Sequence, residues 1–332
     1  MRSGSYIGLR QRSRVATLAQ YLVTGGAGFI GSHLVDALMA HGHGVNVLDD
    51  FSTGRIGNLP ADCVVQCGDV ADPAAVHRAM QGVAGCFHLA AVASVARANE
   101  DWLGTHRTNL TGTITVLDEA RQSGGLPVVY ASSAAVYGDL AEVAHEGMAP
   151  SPLTAYGADK LGSELHARVA SRVHGVPTMG LRFFNVYGPR QDPASPYSGV
   201  ISIFADAIRA GRRVRIDGDG GQTRDFVYVA DVVSHLVAAM EKLQGDERFG
   251  VFNVCTGQET SVLELAALLA RQCGRPHVLD YGPARPGDIR RSVGSNARAA
   301  AALGVKARSG LPDGLRSTLA ALARAKAAHV LA

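Results

Sequence analysis

The sequence lacks several features that would assign it to a specialised class of protein. Its five cysteines form no CxxC pair and no zinc-type spacing, so neither a disulfide framework nor a metal site is predicted. Net charge is only +3, and no block of lysine and arginine with interleaved aromatics argues for nucleic acid as a partner. No apolar run is long enough to cross a bilayer. Reduced thiols and no membrane segment predict a cytoplasmic protein.

What the sequence does contain is ample material for a folded core. Hydrophobic residues make up 47% of the 332 positions and charged residues 18%, a balance typical of a globular chain. A chain of this length is expected to form two domains or lobes. Residues 1–17 are rich in Arg and Ser and contain no acid. We interpret them as an unstructured tail, with a targeting signal as the alternative.

Short apolar segments alternate with helical ones along the first part of the chain. QYLVTG and GVNVLDD are typical of strands, and the helix predicted between them carries Ile30, Leu34 and Leu38 on one face. Further strands are predicted in CVVQCGDV, GCFHLAAV, PVVYASS and TMGLRFFNV. Alternation of strand and helix indicates an α/β fold with a Rossmann-like, doubly wound parallel sheet.

Beyond about residue 185 the pattern loosens, and prolines and glycines separate short helices and strands. We expect a smaller α/β lobe here that binds the substrate, formed by residues 185–224 and about 256–332. The cofactor-binding domain is expected to comprise residues 18–184 and about 225–255. No repeat or low-complexity linker divides the chain, so the two lobes are expected to pack tightly.

A glycine-rich loop follows the first predicted strand and opens the first helix. Gly25, Gly28 and Gly31 would permit a tight turn, close approach of a pyrophosphate and close helix packing, respectively. The next strand ends at Asp49, whose carboxylate would accept hydrogen bonds from ribose hydroxyls and repel a 2′-phosphate. The loop therefore predicts NAD rather than NADP, with a glycine turn that binds no ligand as the alternative. Asp50 would share the role of Asp49 or cap a turn.

Tyr156 and Lys160 stand four positions apart in TAYGADK, within a helix predicted over 155–174. Residues at this spacing share one helix face. An ammonium and an oxidised nicotinamide would favour the phenolate, lowering the pKa of Tyr156 so that it takes a proton from a substrate hydroxyl. Ser133 ends the strand in PVVYASS, where its hydroxyl would relay that proton. Taken alone, Tyr156 and Lys160 could be a surface pair, and Ser132 and Ser133 turn residues.

Nine short motifs follow one another through about residues 18–310: TGGAGFIG, GDV, HLAA, SSAAVYG, YGADK, LRFFNVYGPR, RDFVYVADV, NVCTG and RPGD. Together they resemble the extended short-chain dehydrogenase/reductase superfamily, in its NAD-dependent epimerase/dehydratase branch and nearest its UDP-hexose 4-epimerases. The resemblance implies NAD as cofactor, a UDP-sugar as substrate, no metal, and a homodimer paired through helices near 97–123 and 155–174.

The resemblance also implies roles for individual residues. The catalytic positions are Ser133, Tyr156 and Lys160. The cofactor positions are Gly25, Gly28, Phe29, Ile30, Gly31, Asp49, Asp50, Asp69, Val70, Leu89, Ala90, Ala91, Asn109, Tyr156, Lys160 and Phe183. The substrate positions are Ser133, Tyr156, Asn185, Val200, Arg224, Arg285, Asp288 and Ser292. The two arginines suit diphosphate oxygens, although either could form a surface ion pair instead.

Particular positions bear on which reaction of this branch is expected. Dehydratases carry an Asp-Glu pair after the catalytic serine, but Ala134 and Ala135 stand here, so dehydration is not expected. Ser292 occupies the position where a bulky residue excludes an N-acetyl group in 4-epimerases. We therefore predict an isomerase for UDP-glucose and UDP-galactose that also accepts UDP-GlcNAc and UDP-GalNAc. Tyr156 would remove the O4 proton, and a 4-keto sugar would turn over and take the hydride back on its other face.

Alternatives to this function remain open from the sequence. Arg290 and Arg291 would favour an acidic sugar such as a UDP-uronate, and Ala93 leaves the sugar contacts undetermined. Asp159 replaces a common small residue before the lysine, and we expect its carboxylate to face solvent. A non-catalytic protein that only binds NAD would have the same fold, but such relatives usually lose the tyrosine or the lysine.

Overall fold

The computed structural model describes residues 18–191, 199–284 and 289–330, with side chains described as far as residue 324. In these ranges the strands are β1 Gln20–Thr24, β2 Gly44–Asp49, β3 Val64–Cys67, β4 Gly85–His88, β5 Val128–Ser133, β6 Thr178–Phe183, β7 Asn185–Tyr187, β8 Val214–Asp217, β9 Thr223–Arg224, β10 Phe226–Tyr228, β11 Phe249–Val254, β12 Thr260–Ser261, β13 Leu279–Gly282 and β14 Arg291–Ser292. The helices are α1 Phe29–Ala40, α2 Pro73–Met80, α3 Val95–Glu100, α4 Trp102–His106, α5 Gly112–Gln122, α6 Ala155–His174, α7 Val200–Arg209, α8 Val229–Leu243, α9 Val262–Cys273, α10 Ala297–Leu303 and α11 Leu311–Val330. No helix in the described ranges has the length and apolar character that crossing a bilayer demands.

Seven strands form a wholly parallel sheet in the order β11-β6-β5-β4-β1-β2-β3. The six strands predicted for the first part of the chain are all present, and the doubly wound architecture is confirmed. The strand order reverses between β1 and β4, and this switch point places a crevice at the carboxyl ends of the strands. Strands β4 and β6 are buried throughout, because helices cover both faces of the sheet.

Apolar clusters fill the space on both faces of the sheet. On one face α1 and α8 contribute Leu34, Leu38 and Leu236 to a cluster that includes Phe87. On the other face α2, α5 and α6 pack against the sheet through side chains such as Met80, which is 1% exposed. At about 25 cal/mol per Å² of buried apolar surface, these layers supply the main driving force for folding.

A third apolar cluster belongs to the later part of the chain. It joins α7 and α9 through Phe204, Ile208 and Leu269, and it includes Ile216 of β8. Small sheets surround it, with β8 paired to β13 and β9 flanked by β12 and β14. This core is what the expected smaller α/β lobe requires, while the predicted lobe boundaries stay a prediction.

The helical segment before α6 is not one continuous α-helix. The chain forms α4, a π-helical turn over Arg107–Thr111, and α5 in succession. A π-helical turn carries an extra residue, and such turns are frequent at functional sites. It shifts the direction of the side chains after it and points Asn109 into the protein.

Candidate active site

A cleft of about 980 Å³ lies at the carboxyl ends of the parallel strands, and its lining residues range along the chain from Gly25 to Ser292. Its lining includes every predicted cofactor position except Asn109, and the predicted substrate positions Ser133, Tyr156, Asn185, Arg224 and Ser292. Val200 begins α7 and packs partly buried against the core of the second lobe. The predicted substrate positions Arg285 and Asp288 lie outside the described residues.

The glycine loop at one end of the cleft has the geometry expected for a dinucleotide. Gly25 has a φ of +69°, and a Cβ there would lie 2.7 Å from the backbone nitrogen of Ala90. A Cβ on Gly31 would lie 2.1 Å from the carbonyl oxygen of Gly25. Helix α1 has no acid in its first turn and no side-chain cap, so its first N–H groups remain available to a phosphate.

The carboxylates of Asp49 and Asp50, at the end of β2, form the next part of the cleft wall. Asp49 accepts hydrogen bonds from the backbone N–H of Ala27 and of Phe51, both at 2.9 Å, and so fixes the glycine loop. Burial raises the pKa of Asp49, and these two hydrogen bonds oppose the change. Asp50 accepts from the backbone and hydroxyl of Ser52, so it does cap a turn while lining the cleft. Two adjacent carboxylates would repel a 2′-phosphate, which fits NAD.

Asn109 supports the cleft from behind. Its Oδ1 accepts from the Val92 backbone nitrogen at 2.8 Å, and its Nδ2 donates to the Val92 carbonyl oxygen at 3.2 Å. The side chain is 1% exposed, and both ends of its amide are engaged. The segment after β4 that lines the cleft is therefore held by the π-helical turn.

The three predicted catalytic side chains meet at the ends of β5 and α6. A side-chain hydrogen bond joins Ser133 to Tyr156. The ammonium of Lys160 donates to the Ala131 carbonyl oxygen at 2.9 Å and lies 5.8 Å from the centroid of the Tyr156 ring. Thr154 caps α6 by accepting from the Gly157 backbone nitrogen at 3.1 Å, which fixes where the helix begins.

The expected lowering of the Tyr156 pKa does not arise from the protein's own groups. Burial raises this pKa, and the hydrogen bond to Ser133 only opposes the change. Burial also lowers the pKa of Lys160 to about 8, against the opposing charge of Asp159. The lowering of the Tyr156 pKa predicted from the sequence is therefore not produced by the side chains that the structure describes.

Asp159 contradicts the expectation that its carboxylate faces solvent. The residue is 5% exposed, and Oδ1 accepts from Nδ1 of His106 in α4 at 2.8 Å. Its other oxygen, Oδ2, is buried with no hydrogen-bond partner in the part of the chain that the structure describes. The expectation failed because α4 packs against α6 and covers this position, which the sequence around YGADK does not reveal.

Ala134 and Ala135 follow Ser133 and line the cleft. Their methyl side chains can neither donate nor accept a proton. Arg224 lines the cleft too, and its Nη1 donates to the carbonyl oxygens of Thr223 and Ile289, both at 2.8 Å. The contact with Ile289 ties the cleft wall to the segment just before β14.

The side chains of Arg290 and Arg291 form ion pairs outside the large cleft. Arg290 forms an ion pair with Asp219 at 2.6 Å, and Arg291 pairs with Glu259 at 3.0 Å. Neither lines the large cleft in the described ranges. Their expected preference for an acidic sugar thus lacks support from their position.

Sequence reasoning missed some residues of the cleft. Arg97 in α3 and Thr154 before α6 both line it. Thr154 could have been found, because a threonine just before a helical stretch is a typical N-cap signal. Arg97 follows no local pattern, and only the fold brings it to the cleft.

These features define a class: an enzyme that binds a dinucleotide at the switch point of a doubly wound sheet and carries a serine–tyrosine–lysine set beside it. A family model for the NAD dependent epimerase/dehydratase family matches residues 21–255. The chain belongs to this family, and its cofactor is NAD.

Named relatives share most of the chain. A UDP-glucose 4-epimerase of Mycolicibacterium smegmatis is 39% identical over 90% of this chain and 96% of its own length. The crystal structure of UDP-glucose 4-epimerase from Thermotoga maritima with UDP-glucose has a TM-score of 0.88 and 35% identity, covering 92% of this chain and 99% of that one. UDP-glucuronic acid 4-epimerase from Bacillus cereus, in complex with UDP-glucuronic acid and NAD, has a TM-score of 0.85 and 27% identity over the same shares. The substrates of these relatives differ, so the family alone does not define the sugar.

Proposed function

We propose that this enzyme is a UDP-hexose 4-epimerase for UDP-glucose and UDP-galactose that also accepts their N-acetylated counterparts. The observation that carries the proposal is the meeting of Ser133, Tyr156 and Lys160 in the cleft, with Ala134 and Ala135 where acid–base residues would be needed to expel water. Such a site can move a proton and a hydride at one carbon, and the two positions after Ser133 carry no acid–base group for dehydration.

The chain's own residues account for the proton transfer. Tyr156 takes the proton from the sugar O4, and the hydroxyl of Ser133, already hydrogen-bonded to Tyr156, holds the same oxygen. The Lys160 ammonium stabilises the phenolate that forms. Bound NAD supplies the hydride chemistry at C4. Arg224 and Asn185, in the cleft wall of the second lobe, are proposed to hold the nucleotide diphosphate while the hexose turns over.

A second candidate substrate is UDP-glucuronate, and one observation favours it. Arg97 is half-buried in the cleft wall and forms no ion pair within the described residues. A guanidinium without a carboxylate partner is a suitable group for a sugar carboxylate. Ser292, which also lines the cleft, favours instead the tolerance of an N-acetyl group.

One experiment separates these substrates. The purified protein is incubated with UDP-glucose, UDP-GlcNAc or UDP-glucuronate without added NAD, and inversion at C4 is followed by proton NMR. We expect inversion of the first two, and a Tyr156→Phe variant should lose about 10²-fold or more in rate while still binding NAD. Inversion of the uronate alone would replace the proposed substrate. A lack of turnover with all three would favour a protein that only binds NAD.

We further propose that the enzyme is a cytoplasmic homodimer. Helix α6 exposes Leu165, Val169 and Val173 at four-residue spacing. Trp102 and Leu103 of α4, a helix that contacts α6, are 68% and 80% exposed. An apolar stripe of this kind is typical of a surface that pairs with a second copy. All five cysteines are free, as expected in a reducing compartment.

A further inference from the structure

Asp225 lies directly behind the part of the cleft wall that is proposed to hold the nucleotide diphosphate. It follows Arg224, which lines the cleft, in the motif RDFVYVADV. Asp225 is 0% exposed and does not line the cleft in the described ranges. Neither cofactor nor substrate binding therefore explains why an acidic side chain is buried at this position.

The backbone of Asp225 joins two further residues of the cleft wall. Its N–H donates to the Ser292 carbonyl oxygen at 2.8 Å, and its carbonyl oxygen accepts from the Asn185 N–H at 3.0 Å. Asn185, Arg224 and Ser292 all line the cleft, and we call these three residues the substrate wall. A peptide bond or a hydrogen bond thus connects each member of the substrate wall to the same buried residue.

The carboxylate of Asp225 is attached to the turn that follows β11. Its Oδ1 accepts from the Thr256 backbone nitrogen at 2.8 Å and from the Thr256 hydroxyl at 2.7 Å. Its Oδ2 accepts from the Gly257 backbone nitrogen at 2.8 Å. Because β11 pairs with β6, the carboxylate connects the substrate wall to the large parallel sheet on which the dinucleotide side of the cleft is built.

These partners require an acceptor at both oxygens of the side chain. A backbone N–H can only donate, and one such group points at each oxygen of Asp225. An ionised carboxylate satisfies both groups, whereas an amide would turn its own NH₂ toward one of them. A buried N–H that loses its partner is unfavourable, so the turn after β11 and the substrate wall would move apart.

We propose that Asp225 is a positioning residue that holds the substrate wall in place for the nucleotide diphosphate. The inference rests on the proposed function for the identity of that ligand. The hydrogen bonds of Asp225 within the described residues reach β7, β14 and the turn after β11, and none reaches β5 or α6. Loss of the carboxylate should therefore weaken binding of the substrate more than it slows the chemical step.

Binding of UDP to the full-length protein tests this directly. Isothermal titration calorimetry with UDP should give a Kd about tenfold higher in Asp225→Asn than in the wild type, with the NAD content of the protein unchanged. In the C4 inversion assay, KM for UDP-glucose should rise about tenfold and kcat should change by less than about threefold. An unchanged Kd, or a loss confined to kcat, overturns the proposal.

The matched control is Asp231→Asn. Asp231 in α8 is also buried, and its carboxylate also accepts from two backbone N–H groups, those of Arg308 and Ser309, both at 3.0 Å. Both variants should unfold at a lower denaturant concentration than the wild type, but only Asp225→Asn should bind UDP more weakly. An equal rise of Kd in both variants would mean a general loss of stability and would refute the positioning role.

Thr256→Val is a milder variant for the case in which Asp225→Asn does not fold. It keeps the backbone N–H of residue 256 and the size of the side chain, and it removes only the hydroxyl that donates to Asp225. We expect the Kd for UDP to rise about threefold. If Asp225→Asn does not fold, an unchanged Kd in Thr256→Val overturns the proposal.

Hydrogen exchange separates this inference from the proposed function. If the wild-type protein neither binds UDP nor inverts a UDP-sugar, the proposed function fails. Amide exchange followed by mass spectrometry then still decides whether Asp225 holds the substrate wall. Exchange in residues 184–186, 223–226 and 291–294 should be about tenfold faster in Asp225→Asn, whereas Asp231→Asn should affect residues 307–310 instead. Unchanged exchange in the substrate wall of Asp225→Asn would contradict the proposal.

Discussion

At the scale of single residues, Ser292 is the position with the clearest consequence for the substrate. It lines the cleft in β14, opposite Arg224 of β9. We expect Ser292→Tyr to reduce kcat/KM for UDP-GlcNAc by at least about tenfold, because the ring would fill the space of an N-acetyl group. The activity on UDP-glucose in the same variant is the control. Equal losses on both sugars would show that Ser292 does not select at C2.

The residue scale also shows where sequence reasoning succeeds and fails. Tyr156 and Lys160 were correctly placed on one side of a helix, because i and i+4 spacing is a local property. Ser133 was placed beside them because parallel strands end at one edge of the sheet. The burial of Asp159 was not predictable, since it depends on α4, which is about fifty residues away in sequence.

At the scale of elements, His88 joins strands and helices through a buried chain of hydrogen bonds. Its Nδ1 lies 2.9 Å from Thr24 Oγ1 of β1, and its Nε2 lies 3.0 Å from Thr113 Oγ1 of α5. Thr113 donates its own proton to the Asn109 carbonyl oxygen at 2.6 Å. His88 Nε2 must therefore donate and Nδ1 accept, so the neutral ring has one defined tautomer.

This network predicts a pH dependence of stability. The folded protein keeps His88 neutral until its pKa of about 3, whereas the unfolded chain protonates near 6.5. The unfolded state then binds more protons between these values, so stability is full above pH 6.5 and falls as pH drops, by at most about 1.4 kcal/mol per unit. Chemical denaturation at pH 7 and pH 5 should show a smaller loss in His88→Gln than in the wild type. An identical loss in both proteins would contradict the prediction.

The elements themselves were largely predictable. Six strands and the helices Phe29–Ala40 and Ala155–His174 follow from apolar runs and the spacing of residues on one helix face. Strand β11 was missed, because Gly250 and Asn253 interrupt its apolar pattern and its identity depends on pairing with β6. The π-helical turn was missed because an inserted helical residue leaves no local signature.

At the scale of the whole molecule, the outer surface of α6 allows a test of the proposed dimer. Val169 is 49% exposed in the middle of the apolar stripe. We expect Val169→Glu to shift the mass measured by light scattering from two chains to one, because a charge buried in an interface is strongly unfavourable. The matched control is Val278→Glu, since Val278 is 54% exposed before β13, outside this stripe. A monomeric wild-type protein would refute the dimer.

We propose a two-lobe arrangement with the boundaries that the sequence predicts. The distinct apolar core around α7 and α9 favours a separate second lobe. The exact division could not be derived from local patterns, because the chain leaves the large sheet after Phe183 and returns to it only at Phe249.

Because β11 comes late in the chain, the large sheet cannot be completed until most of the protein has been synthesised. Until the ribosome has released β11, strand β6 has only one neighbour, although all six of its residues are buried in the finished protein. A fragment cut between these strands would present an apolar, unpaired edge, which is the geometry that recruits other chains into aggregates. Proteolysis in the second lobe would thus threaten the solubility of the first.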